Sequence, residues 1–216
     1  TVPEKGVLFT AETQVTDQMG EFARKMGTRF VPVRPDGTEP DFDFPDNIAL
    51  ALAVCQELGV DRQTALEGMR RFHPDPYALA IYRLGEGIFV NGLSINDIQS
   101  TQMVYHQVLD GLDEAGERKI LPFNNRMDRG SRTRDMVKTA LLLQPDEVWL
   151  LGAGKDYFVR DLKAGGFAGP GIKPKAGNDP RLASVPRGQL VFAAGNIAKD
   201  GKILMANVKR KGERLV

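Results

Sequence analysis

The stretch IFVNGLSINDIQST, residues 88–101, decides the fold. An apolar run stops in small and amide side chains, and a helical pattern then begins. Ile88, Phe89 and Val90 suit a buried strand, Gly92 allows a turn or a close approach, and Asp97 is placed to cap a helix starting at Ile98. A loop that runs into a helix start presents free N–H groups and the positive end of a helix dipole, so the ground above Asn96 and Asp97 suits an anion. The same residues also make a plain strand-to-helix turn with a capping aspartate, and the stretch alone favours that plainer reading.

Downstream, strands and helices alternate. Helix 98–112, strand 120–123, helix 132–143, strand 148–151, helix 157–163 and strand 190–193 follow the first strand in turn. Short apolar strands alternating with helices predict an α/β fold with a doubly wound, mostly parallel sheet. Between the last helix and strand lies AGGFAGPGIKPKAGNDPRL, residues 164–182, dense in glycine and proline. It reads as a variable insertion or a lid. The tail from Lys199 fits a strand over 203–208 or a weak helix, and its Lys-Arg-Lys run at 209–211 reads as a solvated end.

Upstream, strand 7–10, helix 16–26 and strand 30–33 form one β-α-β unit. Such a unit cannot cover both faces of a parallel sheet, so it is expected to be the end of a larger one, with the chain beginning inside a domain. RPDGTEPDFDFPD, residues 34–46, reads as a loop anchored by Phe42 and Phe44. Asp46 is expected to cap helix 47–58, Gly59 to end it and Asp61 to open a second helix, making an αα-hairpin whose Ala- and Leu-rich first member is predicted to be buried. The two prolines of HPDPYAL, residues 73–79, mark the domain boundary.

Composition narrows the function. At 216 residues the chain is long enough for two modest domains. With 29 basic and 28 acidic residues its formal charge is +1, which offers no field for holding nucleic acid non-specifically. Cys55, the only cysteine, sits among Ala and Leu and reads as a small core residue in a reducing compartment. No apolar run approaches the roughly 20 residues of a membrane span, and the opening TVPEKG lacks the pattern of a signal peptide. A soluble chain is expected, and because it starts at Thr1 the natural N-terminus is expected elsewhere.

In open α/β sheets ligands gather at the carboxyl ends of the strands. The residues after the four predicted strands are polar: Asn91, Ser94, Asn96 and Asp97; Asn124, Asn125, Arg126, Asp128, Arg129 and Arg132; Gly152, Gly154, Lys155 and Asp156; Gly195 and Asn196. Four such loops on one edge predict a cleft. Arg126, Arg129 and Arg132 suit carboxylate or phosphate recognition, and equally suit pairing with Asp128, Asp135 and solvent. Gly152-Ala153-Gly154 does not complete a dinucleotide fingerprint, since Tyr157 occupies the place of the third glycine. No Walker A sequence, no HExxH and no paired Cys or His ligands occur, so no metal site is predicted. His73 and His106 read as structural or exposed.

Taken together, FPDNIALALAVCQELGVDRQTALEGM (44–69), PDPYAL (74–79), FVNGLSINDIQST (89–101), NNRMDRGSR (124–132) and the Gly-Asn pair at 195–196 resemble the ligase subunit of poly-γ-glutamate synthase, a branch of the Mur ligase superfamily. The resemblance implies a Mur-like C-terminal Rossmann-like domain over residues 80–216, preceded at 1–73 by the last β-α-β and helices of a central ATPase domain. It implies an ATP-dependent ligase that activates a carboxylate as an acyl phosphate, attacked by an amine to join glutamate units. ATP and Mg2+ are the implied cofactors, with their ligands in an N-terminal ATPase half outside these residues. This chain alone is therefore expected to be inactive, and no catalytic residue is assigned within it. Glutamate or poly-γ-glutamate, the ATPase half and membrane subunits of a synthase complex are the implied partners, with no nucleic acid. The implied location is cytoplasmic, at the inner face of the membrane through those partners.

Residue by residue, Asn47 matches an asparagine beside the adenine, and Asn91, Ser94, Asn96 and Asp97 match the loop that faces nucleotide and substrate. Arg126, Asp128, Arg129 and Arg132 match the motif assigned to substrate carboxylates or a phosphoryl group. Three positions depart from the pattern: Ala80 stands where the family usually has an arginine, Tyr77 replaces a glycine and Met127 an alanine. A non-catalytic module that binds an acidic substrate or a partner subunit is the alternative reading.

Overall fold

A computed structural model describes residues 4–11, 15–37, 45–71, 77–95, 97–112, 118–126, 128, 130–174 and 176–215. It divides into two units, Thr1–His73 and Pro74–Val216.

In the first unit, strands β1 (Val7–Thr10) and β2 (Arg29–Pro32) pair in parallel around helix α1 (Thr16–Lys25). Helices α2 (Pro45–Glu57) and α3 (Arg62–Arg70) form the expected hairpin. Asp61 caps α3 by accepting the Thr64 N–H at 3.0 Å. Its carboxyl is held below the usual range, chiefly by the Thr64 hydroxyl. Two expectations need correction. Asp46 lies inside the first turn of α2, which starts at Pro45, where a missing N–H costs nothing. Nor is α2 buried all round: Ile48 and Leu52 pack on Ala65 and Leu66, whereas Val54 is exposed, as is Leu58 just beyond the helix. An apolar circumference predicts burial only where there is something to pack against, and this hairpin supplies one side.

The second unit is built on a seven-stranded sheet of β3 (Ala80–Leu84), β4 (Gly87–Gly92), β5 (Arg118–Asn125), β6 (Glu147–Gly152), β7 (Gly171–Ile172), β8 (Gln189–Gly195) and β9 (Glu213–Arg214), in the order β7-β6-β5-β8-β4-β3-β9. The run from β7 to β4 is parallel, and β3 is antiparallel to both β4 and β9. Every residue of β4 is buried, as expected of a strand covered on both faces.

Helices α4 (Ile98–Gly111), α5 (Gly130–Leu143) and α6 (Lys155–Ala164) line one face in sequence. There Tyr105 meets Phe192 edge-on and Phe123 packs on Phe158. Side chains of opposite parity, among them Phe89, Ile120, Trp149 and Val191, pack against Leu204, Met205 and Val208 of helix α7 (Asp200–Lys211) on the other face. The undecided tail is therefore this helix. Leu204, Met205 and Val208 fall on one helical stripe, with Asp200 in the first turn and Lys209, Arg210 and Lys211 in the last, matching the helix dipole.

The edge strands β3 and β9 were not expected. In β3 burial alternates, with Ala80, Tyr82 and Leu84 facing the core, and a turn with Gly85 at φ 71° leads into β4. The described residues of 164–182 are not a free lid. β7 pairs with β6, Lys155 Nζ donates to the Pro174 carbonyl at 2.7 Å, and Gly177 packs directly against the start of α7. Among the described residues no helix is long and apolar enough to cross a membrane.

Candidate functional site

The parallel strands set the position of the site. From β5 the chain passes through α5 to β6 on one side, whereas from β8 it passes through α7 to β9 at the opposite edge. The carboxyl ends of β5 and β8 therefore flank a topological switch point, where open α/β sheets leave a crevice.

A cleft of about 650 Å³ opens there. Among the described residues its walls are Asn124 and Asn125 at the end of β5, Arg126 and Asp128 beyond them, Gly152 and Ala153 after β6, and Ala198, Lys199 and Asp200 at the start of α7. The sequence placed Asn124 and Asn125 in a loop, but both are the last residues of the strand. Their amides hold the cleft together. Asn124 Nδ2 donates to the carbonyls of Asn196 and, at 2.8 Å, Ala198. Asn125 Nδ2 donates to the Ala153 carbonyl at 3.0 Å, and its Oδ1 accepts the Thr133 hydroxyl at 3.0 Å. The two amides thus fasten the ends of three strands.

The turn into α7 is held in an unusual conformation. Lys199 has φ 50° and ψ −107°, outside the regions an L-residue ordinarily populates. Ala198 donates its N–H to Asn196 Oδ1 at 2.8 Å while its carbonyl is held by Asn124, which fixes the chain on the near side of that turn. On the far side Asp200 Oδ2 accepts the Gly152 N–H at 3.0 Å. Gly152 itself, at φ 73°, tolerates no side chain: a Cβ would lie 2.2 Å from the Asn125 carbonyl oxygen.

Of the predicted arginines, Arg126 forms a fork with Asp128, Nε to Oδ1 at 2.9 Å and Nη2 to Oδ2 at 2.6 Å, and that carboxylate pushes the guanidinium pKa up. Arg126 and Arg132 line one shallow depression with Asn125, Gly195 and Asn196, so the structure brings these two together. Arg129 lies outside the described residues, as does Asn96.

The loop after β4 does not contribute to the cleft lining among the described residues. Asn91 is only 1% exposed and faces inward. Its Nδ2 donates to the carbonyls of Tyr77 at 3.0 Å and Ala78 at 2.9 Å, and its Oδ1 accepts the Leu93 N–H at 3.3 Å. Both amide hydrogens are thereby used in fixing the entry to β3. Ser94 is exposed in the following turn, and Asp97 caps α4 by accepting the Ser100 N–H at 2.7 Å. Asn47 is exposed in the first turn of α2, in the other unit. Asp156 pairs with Lys173, which holds its carboxyl below the usual range, so this residue serves the 164–182 segment. Sequence reasoning missed Lys199 and Asp200; the signal was their place shortly after Gly195, which ends β8, and Asn196, which follows it.

The match of residues 77–211 to the family described as the poly-gamma-glutamate synthase CapB C-terminal domain covers more than half of the chain. The chain belongs to that family. Consistent with CapB membership, it is 34% identical over 155 residues to the capsule biosynthesis protein CapB of Bacillus anthracis, covering 65% of this chain and 32% of that protein. It is 29% identical over 177 residues to the PGA synthase CapB of Bacillus subtilis strain 168, covering 76% of this chain and 45% of that one. The chain thus spans less than half the length of either CapB relative. Among solved structures, the murein peptide ligase Mpl from Psychrobacter arcticus 273-4 is similar with a TM-score of 0.66 at 12% identity, over 95% of this chain and 52% of that one. MurF from Acinetobacter baumannii is similar with a TM-score of 0.66 at 14% identity, over 97% and 52%. These likenesses establish a Mur-ligase-like fold for this CapB-family chain.

Proposed function

We propose that this chain is part of an ATP-dependent amide ligase that joins glutamate units into poly-γ-glutamate, and that the cleft between β5, β6 and α7 receives the incoming amino acid. The observation that carries this reading is the position of Arg126 in a cleft at the switch point of the sheet, within the segment that matches the family. Forked guanidinium donors suit a carboxylate, and Arg132 stands beside it.

ATP and Mg2+ supply carboxylate activation through an acyl phosphate in this reading. Among the described residues no group of three or more His, Cys, Asp or Glu could hold a metal ion, and the described lining of the cleft sets Asp128 and Asp200 against Arg126 and Lys199, with no excess of positive charge for phosphates. The cleft therefore does not fit the nucleotide. Its holding is assigned to the ATPase half of the longer protein, with Asn47, Ser94, Asn96 and Asp97 as the contacts proposed from this chain. What the cleft contributes is position: an amine held in line with an activated carboxylate reacts as if at very high local concentration. The location proposed is cytoplasmic, against the membrane through partner subunits.

The test is glutamate-dependent ADP release by the longest natural polypeptide that contains this chain. Release only on adding glutamate, lowered by Arg126→Ala, is the expected result. A natural product without a phosphate-binding partner, releasing no ADP, would instead make this unit a binding module.

A further inference from the structure

We infer that Asp200 is the residue that selects an amino acid over other anions, by taking the α-ammonium group of a zwitterionic ligand in the cleft. The inference rests on the amino-acid reading of the cleft given above and goes beyond it by assigning the group that distinguishes an amino acid from a dicarboxylate or a phosphate.

The argument begins with the charges. Among the described residues four charged side chains line the cleft, Arg126, Asp128, Lys199 and Asp200, two of each sign. Arg126 spends two of its five N–H groups on Asp128, so the two charges offset each other while the guanidinium keeps donors for a ligand carboxylate. That leaves Lys199, which is exposed, and Asp200 at adjacent positions on the opposite wall. A site for a phosphate dianion needs an excess of cationic donors, and the described lining of the cleft has none. Adjacent charges of opposite sign instead complement a ligand that carries an ammonium and a carboxylate together.

Asp200 is also held as a binding group would be. One of its oxygens, Oδ2, is anchored by the Gly152 N–H, which fixes the plane of the carboxylate, while Oδ1 has no hydrogen-bond partner among the described residues. The backbone that holds Asp200 is itself fixed by a buried amide. Asn124 is 1% exposed, and its Oδ1 is buried with no donor among the described residues. That oxygen sits behind Gly152, 2.8 Å from where a Cβ of residue 152 would lie. With both Asn124 N–H groups donating to Asn196 and Ala198, the orientation of the amide is settled: its nitrogen faces the turn into α7 and its oxygen faces Gly152, whose N–H anchors Asp200.

The experiment is a binding titration of the 216-residue chain with L-glutamate, D-glutamate, glutarate and inorganic phosphate, followed by calorimetry and by the Gly152 amide resonance. Glutarate keeps both carboxylates of glutamate and lacks only the ammonium. The expected result is that one glutamate enantiomer binds at least about tenfold more tightly than glutarate or phosphate and moves the Gly152 resonance, the size expected for one charge-assisted hydrogen bond. Asp200→Asn keeps an oxygen for the Gly152 N–H and should bring glutamate down to the affinity of glutarate. Equal binding of glutarate or phosphate by the unaltered chain, no saturable binding of either glutamate, or an unchanged ratio in Asp200→Asn would each overturn the inference. Should the variant fail to fold, the ratio measured on the unaltered chain decides. Glutamate-dependent ADP release by the longer polypeptide together with equal binding of glutarate would sink this inference and leave the ligase reading standing. Selective glutamate binding with no ADP release would do the reverse.

Discussion

Arg126 and Asp128 form a two-bond fork across a single intervening residue, at 2.9 and 2.6 Å, on the wall of the cleft. Both side chains reach solvent, so the pair contributes little to folding, and its importance lies in how it presents the guanidinium. Arg126→Ala should leave the thermal midpoint within about a degree or two of wild type and weaken glutamate binding about tenfold. Asp128→Asn releases the guanidinium and shifts the cleft toward positive charge, so phosphate binding should strengthen. Calorimetric titration of the two variants decides; unchanged binding in both would remove the pair from the site.

Asn124 makes a contrasting prediction because it is buried. Its two N–H bonds carry the Asn196 and Ala198 carbonyls, and removing them strands both acceptors. Asn124→Ala should cost about 1–3 kcal/mol in urea unfolding and also weaken ligand binding, since the turn at Lys199 loses its support. Asn124→Asp should be no better. A carboxylate has no N–H to offer two carbonyls. Loss of stability with full ligand affinity would show that the amide is structural alone.

Much of the fold could be read from local pattern. Ile88, Phe89 and Val90 followed by a capping Asp97 gave one strand and one helix, and the same reasoning placed β5, β6, β8 and the helices between them. Edge strands were harder, because β3 is half-buried and β9 has only two residues, each defined by a neighbour distant in sequence. Site residues divided along the same line. Arg126 announced itself by its chemistry, whereas Asn91 offered an amide that the sequence could not orient. Only the folded chain shows that this amide is consumed by Tyr77 and Ala78, and that Asp200 comes to Gly152 from 48 positions away.

Gly177 ties the glycine- and proline-rich segment to the site. A Cβ there would lie 2.1 Å from the Asp200 carbonyl oxygen and 2.6 Å from the Leu204 nitrogen, both main-chain atoms of α7 that cannot rotate away. Gly177→Ala must therefore displace either the segment or the first turn of α7. A loss of more than about 2 kcal/mol is expected, with weaker glutamate binding because Asp200 moves. A freely moving lid would accept the alanine at no cost, so chemical unfolding of this one variant distinguishes a packed segment from a mobile one.

Tyr105 gives a prediction outside the site. Its ring is 2% exposed against Phe192, and its hydroxyl has no hydrogen-bond partner among the described residues. Burial, with the nearby Asp146 charge adding to it, pushes the phenol up to about 12 from its ordinary 10.0. Between those values the unfolded chain gives up the proton while the folded chain keeps it. Stability attributable to this group is therefore complete below the unfolded value and is lost as pH rises toward the folded one. By about pH 11 the loss should be about 1.4 kcal/mol. Tyr105→Phe has no proton to lose, so its urea midpoint should fall less than that of wild type between neutral pH and about pH 11. Near neutrality the variant should match or exceed wild type, since it removes a buried hydroxyl that has no partner. A variant clearly less stable at neutral pH would mean that the hydroxyl makes a bond, for instance to a buried water, and that its burial is already compensated.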